Sequence, residues 1–100
     1  MTKKEQMAVF GYLTNEMKKT LFSKGDDYAN EDRLSNFKLA GAISGGNAST
    51  NCLNMISTKV ARLGNLLNKN GEPNNESIDD SVLDLANYAV LLYMIINENK

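Results

Sequence analysis

Three groups of residues in this chain have types and spacings that could do chemistry. Asp80, Asp84 and Asn87 recur at i, i+4 and i+7, which puts them on one face of a helix. Asp84 lies within the apolar run from Val82 to Ile96, where only Asp84 and Asn87 are polar. A buried carboxylate is costly unless it meets a cation, a metal or hydrogen-bond donors. Lys59 and Arg62, three residues apart on an earlier helical stretch, are its natural partners. One reading is a structural ion-pair network between two helices; the other is a polar pocket for a ligand. Under an alternative, Asp80 and Asp84 hold Mg²⁺ and the metal grips a phosphate chain.

The second group is the stretch KGDDYANEDRLSNFK, residues 24–38. Tyr28 could stack on a base, and Arg33 or Lys38 could meet a phosphate. Asn36 and Asn87 could read polar edges, and Arg62 could take a phosphate in bidentate fashion, as lysine does poorly. The ligand set so assembled is Tyr28, Arg33, Asn36, Lys38, Lys59, Arg62 and Asn87. The same stretch also reads as a solvated capping loop with an aromatic plug. The third group, Gly45 to Asn51, is a small polar loop ahead of a helix. It could offer backbone N–H groups to an anion or simply cap the helix.

Composition removes other chemistries. The chain has no histidine, so histidine catalysis and histidine metal ligation are excluded. Cys52 is the lone cysteine, which excludes an internal disulfide and a thiolate zinc site and fits a reducing, cytoplasmic setting. A formal net charge of −1 gives no basic field for direct nucleic-acid binding. No Walker-type glycine loop is present. These absences favour a binding protein over an enzyme, with no resident cofactor, or Mg²⁺ under the alternative.

Helices must position these groups. Thr2 with Glu5 forms a capping box, and Met7, Phe10, Leu13 or Thr14, Met17 and Leu21 follow at helical spacing up to a stop at Ser23-Lys24-Gly25. A second helix is capped by Asn30, carries Leu34, Phe37, Ala40 and Ile43, and breaks at Gly45-Gly46-Asn47. A third runs from about Ser49 to Asn70 with the stripe Leu53, Ile56, Val60, Leu63 and Leu67. After the loop containing Asn70-Gly71 and Pro73, Ser77 caps a fourth helix with Ile78, Val82, Leu85, Ala89, Leu92 and Ile96. Residues 1–100 thus read as a single all-α domain, a small four-helix bundle. The fourth helix is apolar nearly all round, which predicts a subunit interface and a homo-oligomer. It is too short and interrupted to span a membrane, and the N-terminus lacks the pattern of a signal peptide.

The runs DYANEDRLSNF, KVARLGNLL and NNESIDDSVLDLANYAVLL resemble small bacteriophage proteins of the family called nucleotide modification associated domain one, over about residues 24–96. That resemblance implies a phage origin and a connection with nucleotides. A weaker likeness is to the all-helical nucleoside triphosphate pyrophosphohydrolases of the MazG type, which hold Mg²⁺ with EExxE and ExxD stretches. Here Ser35 stands where the third acid of the first stretch belongs, and Asn87 where the final Asp belongs. The expectation is therefore a phage-encoded, oligomeric nucleotide-binding protein of the host cytoplasm. Such a protein could sequester a cyclic nucleotide signal of an antiviral pathway. A Mg²⁺-dependent pyrophosphohydrolase and a protein-binding inhibitor with an acidic face are the alternatives.

Overall fold

Helix starts in this chain are set by side chains that accept an otherwise orphaned backbone N–H. In the computed structural model, which describes residues 1–28, 31–68 and 77–98 (residue 28 by its backbone only), there are three such caps, of which Thr2 and Ser77 are the ones the sequence predicts. Thr2 Oγ1 accepts from the Glu5 N–H at 3.1 Å and opens α1, Lys3–Tyr28. Asn47 and Thr50 exchange side chain-to-backbone hydrogen bonds, each 2.9 Å, and open α3, Ala48–Leu67. Ser77 Oγ accepts from the Asp80 N–H at 3.0 Å and opens α4, Ile78–Asn97. The short α2, Ser35–Ile43, closes at Gly45, whose φ of +81° suits a residue without Cβ.

Two boundaries differ from expectation. The first helix does not stop at Gly25 but continues to Tyr28. The missing side chain of Gly25 makes room for the Arg33 guanidinium, which occupies the place a Cβ would take. The second helix starts at Ser35. Asp32 organises the turn before it, its carboxylate accepting from the Leu34 N–H at 3.0 Å. Asn30, the expected cap, lies outside the described residues, as does the loop of residues 69–76.

The described elements are four helices and no strand. α3 packs along α4, α2 on α3, and α1 on α4. Leu34, Phe37, Cys52, Leu63 and Leu66 are buried, and Phe37 meets Tyr88 edge to face at 6.4 Å and 89°. The predicted apolar stripes of α3 and α4 face inward only in part, with Ile56, Ile78, Leu85 and Leu92 half-buried. On α3, Leu63 is buried but Leu53, Val60 and Leu67 are exposed, and Cys52 and Leu66 face inward instead. On α4, Val82, Ala89 and Ile96 are exposed, while Ser81 and Asn87 are buried. No helix among the described residues is long and apolar enough to cross a membrane.

Candidate functional site

Where the C-terminal half of α1, α2, the start of α3 and the middle of α4 converge, they leave a cleft of about 450 Å³. Its walls are mostly apolar, with Leu21, Phe37, Met55 and Leu91 among them, and its polar edge carries Lys24, Arg33, Asn36, Asn51, Asp84 and Asn87.

Asp84 is the electrostatic centre. Its side chain is 16% exposed; Oδ1 accepts from Lys24 Nζ at 3.0 Å and Oδ2 lies 3.2 Å from Lys59 Nζ. Burial alone would raise the carboxyl pKa. Hydrogen bonds from Lys24 and Lys59 outweigh it and hold the group below its ordinary value. Lys59 is the partner expected from sequence and is nearly as enclosed, at 18% exposed. Lys24 is the one sequence reasoning missed as a partner. It sits on α1, sixty positions from Asp84, and no local pattern links the two.

Asn87 lies one turn deeper on α4. It is 6% exposed, its Nδ2 donates to the Met17 carbonyl at 3.2 Å, and its Oδ1 is buried without a partner. Such an acceptor is costly to leave unmet, and its residue is among those lining the cleft. At the mouth, Arg33 donates to Asp26 at 2.7 Å and to the Phe22 carbonyl at 3.3 Å. The guanidinium is thereby held across Gly25 at the edge of the cleft.

Of the residues expected to bind ligand, Arg33, Asn36 and Asn87 line this cleft, and Lys59 joins it through Asp84. Lys38 does not; it ties Asp32 at 2.6 Å to Glu98 at 2.7 Å, a clasp between the start of α2 and the end of α4. Those two carboxylates raise the Lys38 pKa, and Lys38 with the Leu34 N–H lowers that of Asp32. Arg62 is half-buried on α3 but does not border the cleft. The ring of Tyr28 lies outside the described atoms. Tyr88, which does line the cleft, is the aromatic that reasoning by spacing passed over. Asp80 is exposed, and both oxygens of Asp84 face ammonium groups. Among the described residues no three His, Cys, Asp or Glu side chains are grouped to hold a metal. Cys52 is buried against the Tyr88 carbonyl at 3.4 Å, and burial pushes its thiol pKa up, the opposite of an activated nucleophile.

No family model, curated protein or solved structure matches this chain.

Proposed function

We propose that the cleft binds a nucleotide and that the chain acts by holding it. The observation that carries this reading is the unpartnered, buried Oδ1 of Asn87 at an apolar wall, one turn from the lysine-flanked Asp84. A nucleobase offers a flat body for the apolar wall and an N–H for that oxygen. Its phosphate meets Lys24, whose ammonium keeps donors beyond the one given to Asp84, and Arg33. The base lies beside Tyr88 rather than Tyr28, and Arg33 takes the phosphate role first given to Arg62.

Sequestration of a cyclic nucleotide signal by a phage-encoded protein fits this reading. It draws on the sequence resemblance for the origin and on the cleft for the chemistry. The Mg²⁺-dependent alternative is less favoured, because Asp84 is already neutralised by two lysines. Oligomerisation through α4 also belongs to this reading, since Val82, Ala89, Tyr93 and Ile96 leave an apolar side of that helix open.

Calorimetric titration with linear and cyclic nucleotides tests it. Binding by the wild type, weakened about tenfold or more in Lys24→Ala and in Asn87→Leu, is the expected result. Recovery of intact ligand after denaturation separates holding from hydrolysis. The absence of heat at millimolar nucleotide, or equal affinity in both variants, would overturn the assignment.

A further inference from the structure

Among the described residues, three charged side chains line the cleft: Lys24, Arg33 and Asp84. The rest of its polar edge, Thr20, Asn36, Asn51, Asn87 and Tyr88, carries hydroxyls and amides. An otherwise apolar wall thus has two cations and one carboxylate. The cations stand on the same side of the mouth, since Arg33 lies over Gly25, the residue next to Lys24. Asp26, the carboxylate that holds Arg33, is outside the lining and is exposed.

Asp84 limits what those cations can accept. Lys24 Nζ is 3.0 Å from its Oδ1, so a phosphate taking another hydrogen bond from that ammonium comes within about 6 Å of the carboxylate. Charges at that range act strongly on each other's ionisation. The carboxylate is held in place from behind, because Lys59 on α3 lies 3.2 Å from Oδ2. It also stays charged near neutral pH. Burial raises its pKa, but the hydrogen bonds from Lys24 and Lys59 outweigh that and keep it below 3.8. The volume of about 450 Å³ is at the small end of ligand pockets, ~300–1,000 Å³, and leaves little room for a polyphosphate tail.

We propose that the cleft selects a nucleotide with a single negative charge, a phosphodiester, and that Asp84 is the residue that excludes monoesters and polyphosphates. This rests on the nucleotide reading above and adds the class of nucleotide. A phosphodiester carries one negative charge, which the one cation in excess balances. A phosphomonoester carries nearly two at neutral pH, its second pKa being about 6, and a triphosphate carries more. The added charge finds no further cation in the lining and faces Asp84 instead.

Calorimetric titration of the full chain tests it with nucleoside monophosphates of the four common bases and the methyl ester of each, which differs by one charge. At about pH 7.5 the methyl ester binds about tenfold or more tighter than the monoester. At about pH 5.5, where the monoester is mostly singly charged, the two come within about twofold. The groups facing the phosphate are Lys24 from α1, Arg33 from the turn before α2, Lys59 from α3 and Asp84 from α4. Side chains of these types titrate outside that range, so the change belongs to the ligand. A cyclic monophosphate and a linear dinucleoside monophosphate share the single charge; the tighter one tells a ring from a chain, and either binding better than the monoester supports the proposal. Asp84→Asn keeps the shape and removes the charge. With cooperative unfolding as its control, it brings monoester and methyl ester within about threefold at about pH 7.5. Affinity that rises with charge, the triphosphate tightest, overturns the inference and leaves the nucleotide reading standing. So does equal affinity for monoester and methyl ester in the wild type at about pH 7.5, or a gap that acid does not close, and neither result needs a variant. No binding of any of these ligands at millimolar concentration overturns both.

Discussion

Asp84 holds two lysines that come from helices on either side of it, and its environment makes it a sensor of acid stability. Its pKa is lowered in the folded chain from the ordinary 3.8, so its contribution to stability is fully present above that value. The contribution is lost as pH falls through the depressed folded value. Urea unfolding followed below about pH 5 checks this: the wild type loses stability on acidification, and Asp84→Asn loses less because nothing remains at that position to protonate. Near neutral pH, Asp84→Ala should cost about 2–4 kcal/mol. It takes the shared carboxylate away from the enclosed Lys59 ammonium, while the exposed Lys24 returns to water.

At the scale of elements, Gly25 decides how α1 and the turn before α2 fit together. Replacing a mid-helix glycine by alanine ordinarily stabilises by up to about 1 kcal/mol. Here the new methyl meets the Arg33 guanidinium and displaces it from Asp26 and the Phe22 carbonyl. Gly25→Ala should therefore stabilise the wild type by less than it stabilises an Arg33→Ala background, a coupling read by thermal unfolding in a double-mutant cycle. The helix count and the caps at Thr2 and Ser77 were legible in the sequence because capping is local chemistry, complete within four residues; the cap at Asn47 was read only as a break in the chain. Gly25 misled for the same reason: a glycine after a polar run signals a stop locally, and its real use is set by Arg33 eight positions on. The faces of α3 and α4 were also misjudged. An apolar stripe tells which residues avoid water, not against which chain. Ser81 and Asn87 face inward while Val82 and Ile96 face out. Within the site, Lys59 was accessible from helical spacing, but Lys24 and Tyr88 are joined to their neighbours only by tertiary packing.

At the scale of the whole molecule, the order of packing follows the chain except at α1. α2 docks on its successor α3, and α3 on its successor α4, whereas α1 finds its main surface on the last helix. A chain ending before Ile78 should therefore leave α1 undocked. Limited trypsin digestion should cut it quickly at Lys18, Lys19 and Lys24, and slowly in the full chain. The same arrangement imposes a schedule on biosynthesis. About fifty residues separate the end of α1 from the start of α4. At ~5–20 residues per second, the ribosome takes about 2–10 s to deliver them. Throughout that interval Met17 and Leu21 have no α4 to rest on. The helix made first is therefore the last to dock.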